Sequence, residues 1–182
     1  MSELLAKIRE QSIEAVHYGD IKALYELVER HHSELNDDIE QGIYGNILDL
    51  ALELLTNALE SQAKLSLENE QERYTLRALY EYAISHYSAK RFSDAKALFE
   101  VLEGTSAEEE FIRSMQIHAA ASALEIDIDS FIDKYCEVNE RLDDFYIKEF
   151  KKKAQELLDK TKDSKQAIRQ SQRNVSSTKG AE

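Results

Sequence analysis

The chain predicts an all-α protein of about seven antiparallel helices, and three observations carry that prediction. There is no proline in 182 residues, where average usage of about 5% gives roughly nine. Proline lacks the amide hydrogen that a helix interior needs and clashes with the preceding turn, so its absence leaves every segment free to be helical. Ala, Leu, Glu and Lys, all good helix formers, are abundant, and glycine is held to five. Apolar residues recur at three- and four-residue steps, and no stretch alternates apolar and polar over strand length.

Leu4, Leu5, Ile8, Ser12 and Val16 form the stripe of a first helix, which ends near Tyr18-Gly19, where glycine suits the left-handed residue after a helix. Asp20 caps a second helix through its carboxylate. That helix buries Ile21, Leu24, Leu27 and Val28 and fades at His31-His32-Ser33. Asn36 or Asp37 caps a third, striped by Ile39, Ile43, Ile47, Leu50, Leu54, Leu55, Ala58 and Leu59. Gly42 and Gly45 lie inside it, each weakening a helix by about 1 kcal/mol relative to Ala, so a close crossing or a break is expected there.

A polar stretch from Ser66 to Gln71 leads into a fourth helix with Leu76, Leu79, Tyr80, Ala83, Ile84 and Tyr87. Ser93 caps a fifth, with Ala95, Leu98, Phe99 and Leu102 inward and Gly104 beyond its end. Thr105 or Ser106 caps a sixth, and Ser106 with Glu109 fits a capping box. Phe111, Met115, Ala119, Ala123 and Leu124 line it. Asp127 or Asp129 opens the last helix. Its stripe of Phe131, Tyr135, Val138, Leu142, Phe145, Phe150, Ala154 and Leu157 predicts a length of about thirty residues. Residues 1–161 then form a single helical domain. Residues 162–182 are polar and basic, too poor in apolar side chains to offset the entropy of ordering, and are expected to be a disordered tail.

The formal charge is −13. Residues 151–182 hold nine Lys/Arg and four Asp/Glu, a balance of +5, so residues 1–150 carry −18. An acidic body repels nucleic acid and anionic lipid, so neither is expected as a partner. No apolar run approaches the ~20 residues that cross a bilayer, so no membrane insertion is expected. Cys136 is the lone cysteine, which leaves no intrachain disulfide, and charges within Met1–Glu10 argue against a secretory leader. These features predict a cytoplasmic protein.

Residues 76–102 carry a repeat signal: Leu79, Tyr82 and Ala83, then Phe92, Ala95, Phe99 and Leu102. Small Ala83 lets a partner helix approach, Ala95 is the small residue at the crossing, and Phe99 and Leu102 close the pair. The run resembles one degenerate tetratricopeptide repeat. It departs from the pattern where the usual aromatic falls on His86, where Lys90 stands in place of Gly, and where the closing Pro is missing. A weaker second copy lies over 112–138 with Met115, Ala119, Ile128 and Tyr135 in matching places, and Phe131 where Ala95 stood.

That resemblance implies helical hairpins whose first helices line a concave face that holds a segment of another protein. On this chain the face would comprise Tyr80, Ile84 and Tyr87 with Arg113, Gln116 and Ala120, the two tyrosines partly exposed. Chaperones of bacterial type III secretion are small, acidic proteins of this kind, and the size and acidity here are similar. The expected function is therefore a protein-binding adaptor or chaperone. The alternative is a scaffold that forms a homodimer through the long last helix.

No signature of catalysis stands beside this. There is no Gly-rich phosphate loop, nucleophile elbow or Cys-x-x-Cys pair, so no enzyme activity and no cofactor is expected. Glu14-Ala15-Val16-His17 and Glu29-Arg30-His31-His32 both spell a metal-ligand pair, but the histidines end different helices, on the order of 18 Å apart. No metal is expected there. Cys136 sits within the apolar stripe, where an inert packing role is expected.

Overall fold

A computed structural model describes residues 3–137 and 144–162. Among them the protein is all helical, with no strand of a sheet. The α-helices are α1 (Glu3–Tyr18), α2 (Ile21–His31), α3 (Asp37–Ser61), α4 (Glu70–Ser88), α5 (Phe92–Thr105), α6 (Glu109–Ala123) and α7 (Ile128–Tyr135). Each helix from α1 to α5 packs on the next, and α2 also reaches α4.

Most residues of the expected stripes are buried or half-buried, whereas Leu4, Leu59, Ala123 and Leu124 are exposed. Ile21, Leu24, Leu27 and Val28 are buried on α2, and Leu76, Leu79, Ala83 and Tyr87 on α4. Ala83 on α4 and Ala95 on α5 have no exposed surface. Asp20, Asn36, Asn69 and Asp127 each accept a hydrogen bond from an amide three residues on, satisfying a donor that a helix start would leave bare.

Four helices close by one device. A left-handed residue follows each of α1, α3, α4 and α6, directly for Gly19 and Gln62 (φ +66 and +55°) and one residue later for Lys90 and Glu125 (φ +59 and +52°). The next residue then bonds five back: Asp20 to Ala15, Ala63 to Ala58, Arg91 to His86, Ile126 to Ala121, at 2.8–3.1 Å. This is the Schellman closure. Only one of the four uses glycine.

The structure corrects several local expectations. α3 runs unbroken through Gly42 and Gly45, and open space surrounds both, so neither marks a crossing. Gly104 lies inside α5, which starts one residue before Ser93 and has no side-chain cap. α6 starts after Glu108, and the Ser106 hydroxyl instead accepts the Glu108 amide at 3.3 Å. Glu108 has another role: its carboxylate accepts from the Ser66 hydroxyl and the Leu67 amide, both at 2.8 Å. It ties the α3–α4 loop to the α5–α6 loop beside the Leu65–Ser106 bridge.

The largest correction concerns the last helix. α7 ends at Tyr135, and Cys136 is extended. Cys136 pairs antiparallel with Phe150 through bonds from the Glu137 amide to the Glu149 carbonyl and from the Lys151 amide to the Tyr135 carbonyl. After a 3-10 turn at Lys152–Ala154 the chain is helical again over 155–162, burying Ala154 and Leu157. Val138 and Leu142, and the tail from 163 onward, lie outside the described residues.

Candidate functional site

Phe99 on α5 lies against Tyr80 of α4 and His118 of α6, with ring centroids 6.2 and 5.0 Å apart. α5 is thus the floor of a groove, and α4 and α6 are its walls. The non-helical segment 144–151, bent at Asp144–Tyr146, lies in it. Asp144 meets Arg73 of α4 at 3.1 Å. Phe145 and Tyr146 pack on Tyr80 and on Phe111 of α6. Phe150 packs on His118 and on Phe131 of α7.

At the centre one residue's backbone is held from both sides. The Ile147 amide donates to the Tyr80 hydroxyl oxygen at 3.2 Å. The Ser114 hydroxyl donates to the Ile147 carbonyl at 2.6 Å. His118 orients this pair. Its Nδ1 lies 2.8 Å from the Ser114 carbonyl, which only accepts, so Nδ1 carries the proton. Nε2 is then the acceptor for the Tyr80 hydroxyl at 3.1 Å. The chain of bonds runs Ile147 N–H to Tyr80 O–H to His118, and fixes the direction of each.

Burial keeps His118 in the neutral form this needs. The ring has no exposed surface, and loss of water lowers its pKa to about 4, against the opposing pull of the Ser114 carbonyl. Burial likewise raises the Tyr80 phenol, so its hydroxyl stays a donor. Beside the segment, an open cleft of about 580 Å³ is bordered by Arg73, Tyr74, Arg77 and Glu81 of α4 and by Phe145. Arg77 lies 4.1 Å above the Tyr25 ring and is paired with Glu29 and Glu81.

Of the six residues expected to form one concave face, Tyr80, Tyr87 and Ala120 are buried rather than exposed. Tyr80 is in the groove but buried under the 144–151 segment, with 4% exposure. Tyr87 is core: it has no exposed surface, packs on Phe92, Phe99 and Phe131, and donates to the Ile126 carbonyl at 2.7 Å. Ile84 is half-buried against the core. Arg113 is exposed, and Gln116 donates to Glu103 of α5 at 2.8 Å. Ala120 is buried, and with Gln116, Leu158 and Thr161 it lines a second cleft of about 230 Å³.

Sequence reasoning therefore missed Ser114, His118 and the 145–150 segment. The signal for them was the unbroken run Phe145-Tyr146-Ile147, which fits strand better than one face of a helix. The dimer expectation also loses its basis, because Phe145 packs inside this protein and no long last helix exists among the described residues.

Elsewhere, Cys136 is buried, and burial pushes its thiol up to about 12, far from a nucleophile's range. His17 packs on Tyr18, and His32 faces Glu40 at 3.4 Å. Among the described residues, no group of three His, Cys, Asp or Glu is arranged to hold a metal ion. Nor is any helix long and apolar enough to cross a membrane. Comparison with family models, curated proteins and solved structures gives no match.

Proposed function

We propose that the chain is a protein-binding helical module, tetratricopeptide-like over α4–α7, whose α4–α6 groove holds a partner segment in extended form. One observation carries the reading: Tyr80 and Ser114, on two different helices, satisfy the amide and the carbonyl of the same residue. A helical partner uses up these groups internally, whereas an extended one presents them. A donor and an acceptor fixed at this span select a residue whose backbone is free of helix bonds. The aromatic walls then supply affinity through large, rigid rings. The acidic body favours a protein partner over nucleic acid, and the reading sets this activity in the cytoplasm.

A displayed library of random peptides, panned on the full-length chain and on its Phe145→Ala variant, tests the reading. Binders are expected whose affinity falls about tenfold or more in Tyr80→Phe/Ser114→Ala, since two lost hydrogen bonds amount to about 1–3 kcal/mol. Folded protein that yields no binder, or binders indifferent to both substitutions, would contradict it.

A further inference from the structure

We propose that residues 144–150 are an internal copy of the partner's recognition sequence, which competes in cis for the groove. The inference rests on the groove reading and gives the partner its chemistry. The partner is a protein segment with an acidic residue, two adjacent aromatics, a branched apolar residue and, three places on, another aromatic. In this chain those are Asp144, Phe145, Tyr146, Ile147 and Phe150.

Each position has its reason in the groove. The Arg73 guanidinium selects a carboxylate at the first. Phe111 and Tyr80 present ring faces and edges to the aromatic pair, and Glu110 accepts from the second aromatic's hydroxyl at 3.3 Å. That hydroxyl favours Tyr over Phe there. The clamped residue offers its backbone to Tyr80 and Ser114. His118 and Phe131 receive the final aromatic.

The segment is seated like a ligand. Phe145, Ile147 and Phe150 keep part of their surface in water, and only Tyr146 among the anchors is fully enclosed. The open cleft beside Phe145 gives an incoming chain a place to begin displacement. A tethered segment acts at an effective concentration of the order of millimolar, so it masks the groove against a free peptide of equal intrinsic affinity. Weakening the tethered copy must therefore strengthen binding in trans.

The test uses a fluorescent peptide spanning Asp144–Lys151, titrated into the full-length chain and into full-length Phe145→Ala. Binding to the variant at least about tenfold tighter than to the wild type is expected, and none for a scrambled peptide. Equal binding to both, or none to a folded variant, overturns the proposal. A second measurement needs no substitution: millimolar unlabelled peptide should speed hydrogen exchange in the wild type's own residues 144–150. No change in that exchange marks the segment as a fixed part of the core and also overturns the proposal. So does a concentration-dependent dimer in which two copies trade the segment, since the occupant is then a second copy. Library binders that need Tyr80 and Ser114 but lack this motif would leave the groove reading standing and refute this one.

Discussion

His118 is the residue whose chemistry most directly reports the groove. Its pKa is near 6.5 when the chain is unfolded and about 4 when folded, because burial penalises the charged ring. Between those values the unfolded chain binds the extra proton and the folded one does not. Stability is therefore highest above pH 6.5, falls as pH drops through 6.5, and stops falling from this cause near pH 4. Two and a half units correspond to a contribution on the order of 3 kcal/mol. Denaturant titrations at pH 7.5, 6.5 and 5.5 should show this slope in the wild type. His118→Leu, though less stable at pH 7.5, should lack that component of it. Parallel slopes in the two proteins would mean that folding does not lower the His118 pKa, against the buried neutral ring that the Tyr80 bond needs.

At the scale of the element, the helix ends carry a second consequence. Lys90 closes α4 at φ +59°, where a side chain costs about 1–2 kcal/mol. Lys90→Gly regains that cost and gives back about 0.5–1 kcal/mol in unfolded-chain entropy. The net gain is up to about 1 kcal/mol, or about 2–4 °C in Tm for a chain of this size. Gly19→Ala, at φ +66°, should move Tm down instead. A Tm lowered by Lys90→Gly would show that the lysine side chain makes a contact worth more than the strain.

The elements also show where sequence is legible. Helices α1 to α6 declare themselves because each buries one stripe against the core, and a stripe of period 3.6 can be read without knowing its partner. Caps at Asp20, Asn36 and Asp127 are legible for a similar reason: the side chain bonds within its own turn. The stretch after Tyr135 is not, because Phe131, Tyr135 and Phe145 keep helical spacing while their neighbours decide otherwise. Cys136 finds Phe150, and Ile147 finds Tyr80 and Ser114, across large sequence distances. Tertiary hydrogen bonds override the local period there. The groove was half legible: Tyr80 stood on the expected face, but α6 turns Phe111, Ser114 and His118 to it rather than Arg113, Gln116 and Ala120.

At the scale of the molecule, an acidic, proline-free helical array packs its own non-helical segment 144–150 against α4 and α6. The backbone of Ile147 is where this arrangement is most specific. Amide hydrogen exchange at Ile147, followed by NMR in the wild type and in Tyr80→Phe, tests it most directly. The account predicts strong protection of this one amide in the wild type, and a clear loss of protection in Tyr80→Phe while the amides of α5 stay protected. An Ile147 amide that exchanges like an unstructured peptide, or protection that Tyr80→Phe leaves intact, would contradict it.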